Sequence, residues 1–267
     1  MCQECGCGKG GGDVKIGGHS HEQEYPHGHE HHEHAHEHHE HGHDHSHSHG
    51  VKTLDINRSL MEKNDRLAER NRGFFRAKKL LVLNVVSSPG SGKTTFIRET
   101  AAKLGARLRV GVIVGDLATD NDAARLRTAG IPVVQITTGT VCHLDADMVS
   151  KAAAQLDLDK LDVLVIENVG NLVCPADYDL GEDLRVVLLS VTEGEDKPLK
   201  YPPMFHSAQV AVVTKSDMAV AAGFNRDLAL VNLNRVSHHA KIFELSAKTG
   251  DGMPAWLDYL VKLKHGK

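Results

Sequence analysis

Cysteine and long apolar runs are both scarce in this chain of 267 residues. Five cysteines are too few for a disulfide scaffold, and the first residues contain no apolar core of a secretory signal peptide. No apolar run approaches the roughly eighteen residues that a transmembrane helix requires. We therefore predict a cytoplasmic protein that has neither a membrane anchor nor a disulfide framework.

The charge of the chain gives no indication of a nucleic-acid partner. The formal net charge is −4, from 31 basic and 35 acidic residues. Seven of the acids lie within residues 19–49, so the rest of the chain is near neutral to mildly basic. A basic face for nucleic acid or for an anionic membrane is therefore not predicted.

Residues 79–267 have the pattern of an α/β domain. Seven short runs rich in Val, Ile and Leu alternate with amphipathic stretches, beginning with LLVLNVVSS and ending with AKIFELSA. Continuous apolar runs are typical of strands buried on both faces, and the stretches between them are then crossover helices. We predict a mostly parallel, seven-stranded P-loop NTPase sheet with helices on both faces. Residues 51–78, rich in helix formers and without proline, are predicted to form a helical lead-in.

The first predicted strand runs into the motif VVSSPGSGKTTF, residues 85–96. A Gly-rich turn between a strand and a helix is a phosphate-binding loop, because its backbone N–H groups and the helix N-terminus cradle phosphate oxygens. Lys93 would neutralise the β- and γ-phosphates, and Thr94 would offer its hydroxyl to Mg²⁺. Ser87 stands where the usual pattern has its first glycine, but it is small enough for the turn. The predicted nucleotide contacts of this loop are Gly90, Ser91, Gly92, Lys93, Thr94 and Thr95.

Two further strand ends carry acids suited to Mg²⁺. Asp116 ends the second predicted strand, and Asp120 and Asp122 compete with it, with helix capping as their alternative role. Glu167 ends another strand and precedes Gly170 by three residues, where nucleotide switches usually have Asp-x-x-Gly. The carboxylate would orient Mg²⁺ or the attacking water, and the glycine N–H would meet the γ-phosphate. The predicted catalytic residues are Lys93, Thr94, Asp116 and Glu167.

A base-recognition motif follows in VVTKSD and LSAK. The carboxylate of Asp217 can accept both the N1–H and the N2–H₂ donors of guanine, whereas adenine lacks the second donor. The stem of Lys215 would lie over the base. Thr214 replaces the usual Asn, so we expect a modest loss of affinity without loss of the preference for GTP. Ala247 would offer its backbone N–H to guanine O6, and Ser246 and Lys248 beside it are further predicted nucleotide-binding residues. These motifs together predict a GTPase, and a slow one, because no arginine finger is evident.

The chain begins MCQECGCGKG, with Cys2, Cys5 and Cys7 among glycines. A disulfide framework is less favoured because the chain has so few cysteines. A redox Cys-x-x-Cys pair is less favoured because no strand–helix pattern surrounds these thiols. Thiolates two and three residues apart can converge on one ion, and glycines let the backbone wrap around it. Removal of Met1 would add the amine of Cys2, giving a donor set suited to Zn²⁺, Ni²⁺ or copper. We predict a metal-binding motif in residues 1–10, with a terminal segment of no consequence as the alternative.

Residues 11–50 are dominated by histidine. Fifteen of the 20 histidines lie between His19 and His49, interleaved with Glu, Asp, Ser and Gly. So few apolar residues cannot form a core, and the segment is predicted to be disordered. A dense imidazole tract can hold several divalent ions, with a capacity that falls below about pH 6.5. Metal storage is the favoured interpretation; a solvated polar spacer and an expression tag are the alternatives.

The remaining cysteines form a second candidate metal set. Cys142 and His143 lie in TTGTVCHLDADMV, and Cys174 follows the switch glycine Gly170 by four residues. Two thiolates and an imidazole are soft ligands. Adjacent residues of a strand point to opposite faces, so joint ligation requires a loop or the start of a helix. The alternative is two buried structural cysteines and a hydrogen-bonded histidine.

These segments, taken together, resemble the HypB family, the nickel-incorporation GTPases of hydrogenase maturation, which belong to the SIMIBI branch of P-loop GTPases. The resemblance rests on CQECGCG, the His-rich insert, NVVSSPGSGKTT, TTGTVCHLDADMV and ENVGNLVCP, and it covers nearly the whole chain. It implies a high-affinity nickel site at Cys2, Cys5, Cys7 and the terminal amine. It also implies a weaker nickel or zinc site at Cys142, His143 and Cys174, at the interface of a GTP-dependent homodimer.

The same resemblance implies the partners. They are a HypA-type nickel accessory protein and the hydrogenase large-subunit precursor, which receives nickel from a slow GTPase. A urease-type nickel GTPase is an alternative, but its metal motif reads Cys-Pro-His, whereas Cys142 and His143 are adjacent. A metal-storage protein with a scaffold nucleotide domain is another alternative, which the presence of Lys93 and Glu167 disfavours.

Overall fold

The computed structural model describes residues 15–17, 49–105 and 107–266, with side chains from Arg58 onward in the first helix. The predicted metal motif with Cys2, Cys5 and Cys7, and nearly all of the His-rich tract, lie outside the described residues. The strands are β1 (Lys15–Ile16), β2 (Leu81–Val86), β3 (Val110–Asp116), β4 (Val133–Thr137), β5 (Val163–Glu167), β6 (Leu184–Ser190), β7 (Val210–Thr214) and β8 (Lys241–Glu244).

The strands form one sheet in the order β1-β4-β3-β5-β2-β6-β7-β8. The seven predicted strands are β2 to β8, and they pair in parallel, so the predicted fold class is confirmed. The predicted count of seven is one too low, because β1 adds an antiparallel edge strand beside β4. Its two residues are too few to show any periodicity. Ile16 nevertheless packs against buried apolar side chains, and Gly17 donates its N–H to Gln135.

Helices connect the strands. They are α1 (His49–Ala77), α2 (Lys93–Leu104), α3 (Asn121–Thr128), α4 (Ala146–Ala153), α5 (Lys197–Lys200), α6 (Pro202–Ser207), α7 (Arg226–Val236) and α8 (Met253–His265), with single 3₁₀ turns at Leu158–Lys160, Cys174–Asp177, Val191–Glu193 and Ser216–Met218. Among the described helices, none combines the length and the apolar character needed to cross a bilayer.

The core lies on both faces of the sheet, as alternation along the strands requires. Leu81, Leu83 and Val85 of β2 face a cluster that contains Phe96 of α2 and Trp256 of α8. The opposite face is covered by two clusters, one under α1 and α4 and one under α6 and α7. The sheet is therefore buried on both faces. Polar groups lie instead at its carboxyl edge, where the parallel strands end.

The predicted helical lead-in forms the long helix α1, which is hydrogen-bonded to segments near that carboxyl edge. The side chain of Asn64 accepts a hydrogen bond from the N–H of Ala146, at the start of α4, and Asn71 donates to the carbonyl of the same residue. Arg72 forms a two-bond ion pair with Asp179, at 2.6 and 2.8 Å. α1 thus fixes two segments that flank the loop carrying Cys142 and His143.

Candidate functional site

The phosphate-binding loop joins β2 to α2. Gly90 and Gly92 adopt φ values of 75° and 94°, which are accessible to glycine but disfavoured for residues with a Cβ. Lys93 begins α2, and its buried ammonium donates to the hydroxyl of Ser87 at 3.0 Å. Burial lowers the pKa of Lys93, against the opposing effect of Glu167 and other nearby acids. The ammonium of Lys93 therefore lies within the predicted phosphate-binding loop, and its contact with phosphate stays a prediction.

Glu167, at the end of β5, lies directly beside this loop. Its side chain is 2% exposed, and Oε1 accepts a hydrogen bond from the Thr94 hydroxyl at 2.7 Å. The other oxygen, Oε2, is buried without a hydrogen-bond partner. Burial raises the pKa of Glu167 to about 7, although the bond from Thr94 and the charge of Lys93 act in the opposite direction. A buried carboxylate oxygen without a partner, next to a hydroxyl, fits Mg²⁺, which prefers hard oxygen ligands.

The other predicted acids are held by neighbours of their own. Asp116 ends β3 and accepts hydrogen bonds from the N–H of Leu117 and from the hydroxyl of Thr119. Asp122 forms an ion pair with Arg125. Asp120 occupies the N-cap position of α3 but makes no capping bond, because its carboxylate pairs with Arg127. Both Asp116 and Asp122 are close enough to raise the pKa of Glu167.

Gly170 touches the phosphate-binding loop. A Cβ added at this position would lie 3.1 Å from Pro89, so a larger residue would push the two segments apart. The position predicted for a nucleotide switch is therefore in van der Waals contact with the loop itself, and movement of one requires adjustment of the other.

The residues predicted to recognise the base lie at the ends of β7 and β8. Ser246 donates its hydroxyl to the exposed carboxylate of Asp217 at 2.6 Å. Lys215 has a left-handed backbone (φ 58°), and its ammonium donates to the carbonyl of Gly90 at 2.8 Å. The hydroxyl of Thr214 donates to the carbonyl of Ser91 at 3.2 Å. Thr214 thus supplies a bond to the loop in place of the usual Asn. The segment with Ala247 and Lys248 follows Ser246 directly.

The segment after β6 contributes two residues that the sequence motifs did not indicate. Ser91 donates its hydroxyl to Oε1 of Glu193 at 2.5 Å, and Oε2 of Glu193 is buried without a partner. Lys197, at the start of α5, donates to the hydroxyl of Ser88 at 3.2 Å. Neither Thr-Glu-Gly nor the segment around Lys197 has a phosphate-loop pattern, so the sequence motifs carry no signal for these two contacts.

Cys142, His143 and Cys174 come together beside this loop, as the sequence predicts. Their ligand atoms all lie within 4.8 Å of one another, and they are the only such set of three among the described residues. Cys142 and His143 lie in the loop between β4 and α4, since α4 begins only at Ala146, and Cys174 begins a 3₁₀ turn. The two sulfur atoms are 2.8 Å apart and are not joined as a disulfide.

His143 is the buried member of this set. It is 6% exposed, and its ring stacks on Tyr178 with centroids 3.9 Å apart. Its Nδ1 atom is buried without a hydrogen-bond partner. Burial lowers the pKa of His143, which favours the neutral imidazole that can offer a lone pair to a metal ion. The alternative of a hydrogen-bonded structural histidine does not account for the unpartnered nitrogen.

Comparisons with known proteins show the family of this chain. Residues 81–244 match the model described as the CobW/HypB/UreG nucleotide-binding domain. The hydrogenase maturation factor HypB of Escherichia coli K12 is 50% identical over 209 residues, which cover 78% of this chain and 72% of that protein. The chain belongs to the HypB family. The predicted family is thereby confirmed.

Solved HypB structures share the fold. The crystal structure of HypB from Helicobacter pylori in complex with nickel has a TM-score of 0.73 and 41% sequence identity, covering 76% of this chain and 96% of that one. The crystal structure of HypB from Archaeoglobus fulgidus has a TM-score of 0.71 and 39% identity, covering 76% and 99%. The described part of the chain is thus a HypB-type nucleotide-binding domain, and Cys142, His143 and Cys174 lie in loops at the carboxyl edge of its sheet.

Proposed function

We propose that this protein is a Mg²⁺-dependent GTPase that binds nickel and delivers it to the precursor of the [NiFe]-hydrogenase large subunit. Membership of the HypB family supports the proposal, since relatives are named hydrogenase maturation factors and one was solved with nickel. The observation that carries it is the connection between the two sites. The five residues from Gly170, in contact with the phosphate-binding loop, to Cys174, in the metal set, form one continuous segment.

The nucleotide chemistry rests on residues at the carboxyl edge of the sheet. Lys93 neutralises the β- and γ-phosphates of GTP, while the N–H groups of the loop fix their position. Thr94 and Glu167 would hold Mg²⁺, with Asp116 nearby; when bound, the ion neutralises charge that develops on the phosphate oxygens. Glu167 must lose its proton for this role. Asp217 selects guanine. Hydrolysis is expected to be slow, well below about 10 s⁻¹.

The metal chemistry follows from the ligand types. Two thiolates and one neutral imidazole are soft donors that suit Ni²⁺ or Zn²⁺. Cys142 and Cys174 are each partly exposed, whereas His143 is buried. One side of a bound ion therefore faces outward, as transfer to an accessory protein of the HypA type requires. A partly open set at the surface also suits a site completed by a second copy of the chain, in a homodimer promoted by GTP and metal.

The residues outside the described structure complete the proposal. Cys2, Cys5 and Cys7 would form a separate nickel site of high affinity, and the histidine tract would hold further ions in reserve. A storage protein whose nucleotide domain serves only as a scaffold is the competing function. This competing function predicts that the affinity for metal does not depend on whether GTP or GDP is bound.

Nucleotide-dependent metal affinity tests the proposal. We expect the affinity of Cys142, His143 and Cys174 for Ni²⁺ to differ about 5–150-fold between the protein bound to GDP and the protein bound to a non-hydrolysable GTP analogue. This is the usual range of coupling between two sites. The measurement is alkylation of Cys142 and Cys174 in the full chain, quantified by peptide mass spectrometry at increasing Ni²⁺. Cys174→Ala serves as the control, because it should abolish Ni²⁺ protection of Cys142 and spare the N-terminal cysteines. Equal protection and equal oligomeric state with both nucleotides would favour the storage function.

A further inference from the structure

Three polar side chains are buried inside the apolar sheet, beneath the metal set. Asn84 lies in the middle of β2 with 0% exposure, Arg185 lies in β6 with 6%, and Asn168 follows β5 with 1%. A polar group at such a position costs free energy unless it is hydrogen-bonded. Each of the three is bonded, and the bonds join them into a single network.

The network runs through four side chains. The guanidinium of Arg185 pairs with Glu182 at 3.0 Å, and both side chains are less than 10% exposed. Glu182 accepts a hydrogen bond from the amide of Asn84 at 3.1 Å. Asn84 in turn accepts one from Asn168 at 3.3 Å. The side-chain oxygen Oδ1 of Asn168 then accepts a hydrogen bond from the backbone N–H of Leu144 at 3.3 Å.

The two ends of this network reach the two halves of the metal set. Leu144 directly follows His143, so the bond to Asn168 holds the loop that carries Cys142 and His143. At the other end, Arg185 donates to the carbonyls of Ala176 at 2.8 Å and Tyr178 at 2.6 Å. Those residues lie in the segment that begins with Cys174, and the Tyr178 ring stacks on His143.

We propose that Asn168, Asn84 and Arg185 are positioning residues for the metal ion bound at Cys142, His143 and Cys174. Groups that hold ligand-bearing segments in place tune affinity without touching the ion, and their loss typically costs 10–100-fold in metal affinity. The network fixes the distance between the Cys142–His143 loop and the Cys174 turn, which are far apart in sequence. It also adjoins the nucleotide site, because Asn168 follows Glu167 directly.

Stability alone does not account for this network. A buried ion pair such as Arg185–Glu182 contributes little net stability compared with apolar residues of similar volume, because desolvation offsets the attraction between the charges. A network that is fully bonded, however, favours one arrangement of the segments that it joins. That property is what a ligand set assembled from two separate loops requires.

The inference rests on the proposed function and is tested with three variants of the full chain. Asn84→Ala removes the central link and touches neither the metal ligands nor the nucleotide loop. Arg185→Lys keeps the charge beside Glu182, but one ammonium cannot reproduce the fork that holds both carbonyls. Asn168→Ala removes the link to Leu144. The control is Thr100→Val, which deletes the buried hydrogen bond from Trp256 at 3.1 Å on the opposite face of the sheet.

The readout is the Ni²⁺ concentration that halves the rate of alkylation of Cys142 and Cys174, resolved by peptide mass spectrometry. We expect this concentration to rise about 10–100-fold in each network variant, while Thr100→Val and protection of the N-terminal cysteines remain unchanged. The absorption band of thiolate-bound Ni²⁺ should shift in Arg185→Lys. The double variant Asn84→Ala/Arg185→Lys should lose less free energy of Ni²⁺ binding than the sum of the losses in the two single variants, since both act through one network.

The inference would be overturned if the Ni²⁺ concentration that halves the rate of alkylation were unchanged in Asn84→Ala and Arg185→Lys. This holds even if Asn168→Ala failed to fold. That result would leave the proposed function intact, provided that the unaltered protein is protected by Ni²⁺. Absence of protection in the unaltered protein would instead contradict the proposed function itself. A rise of the same size in Thr100→Val would show that the effect is general destabilisation, and would also overturn the inference.

Discussion

Replacement of Glu167 by Gln should stabilise the nucleotide-free protein, and only at high pH. In the unfolded chain this carboxyl has a pKa near 4.5, and in the fold burial raises its pKa to about 7. Between these values the folded state holds a proton that the unfolded state has lost. The free energy of unfolding of the unaltered protein therefore falls as pH rises through this window, while below pH 4.5 the group has no effect.

The magnitude follows from the same two values. Since a tenfold change in proton affinity corresponds to about 1.4 kcal/mol, ionisation of Glu167 in the fold costs about 3 kcal/mol once the pH exceeds 7. Glutamine has the same shape, can still accept the hydrogen bond of Thr94, and does not ionise. We expect the stability of Glu167→Gln relative to the unaltered protein to increase by about 2–3 kcal/mol from pH 5 to pH 8.

Urea unfolding of both proteins at pH 5 and pH 8, in EDTA and without nucleotide, measures this difference. Other titrating groups are shared by the two proteins and cancel to first order in the comparison. Addition of Mg²⁺ and a GTP analogue should stabilise the unaltered protein at pH 8 more than the variant, which binds the nucleotide but lacks one ligand of the cation. Parallel stability curves for the two proteins across this range would refute the assignment of Glu167 as a buried carboxyl whose ionisation destabilises the nucleotide-free fold.

Three further changes test the remaining assignments. Lys93→Ala should abolish GTP hydrolysis and leave Ni²⁺ protection of the N-terminal cysteines unchanged; hydrolysis at the normal rate would contradict the phosphate-loop assignment. Asp217→Asn should shift binding from GTP toward xanthosine triphosphate, measured by competition, because the amide can donate to the exocyclic oxygen of xanthine. Equal binding of ATP and GTP by the unaltered protein would exclude that role. Deletion of residues 19–49 should remove most of the bound Ni²⁺ in equilibrium dialysis without changing GTP hydrolysis, and an unchanged stoichiometry would argue against storage.

The local motifs predicted the fold and much of the candidate site because each depends on a short segment. The seven parallel strands were visible as apolar runs, and the phosphate loop as a glycine pattern with Lys93 at its end. The set of Cys142, His143 and Cys174 was predicted from the ligand types, from the short spacing between Gly170 and Cys174, and from the resemblance to the HypB family. Strand β1 was missed, since two residues carry no periodicity.

The positioning network illustrates what a single sequence does not reveal. Asn84 interrupts the apolar run LLVLNVV, and Arg185 interrupts LRVVLLS, so each was visible as a polar residue in a buried strand. Their partners were not, because Glu182 and Asn168 lie 98 and 84 positions away from Asn84. Pairings over such separations depend on the order of strands in the sheet. Glu193 was missed for a similar reason, since its contact with Ser91 spans 102 positions.

Strand β1 has a consequence for the edge of the sheet. It runs antiparallel to β4 and pairs Lys15 with Thr137 and Ile16 with Ile136. Within the described residues β4 would otherwise be an edge strand with unpaired backbone groups, and such an edge can pair with a strand of another chain. Two residues of β1 therefore cover the end of β4 and protect this side of the sheet from unwanted association.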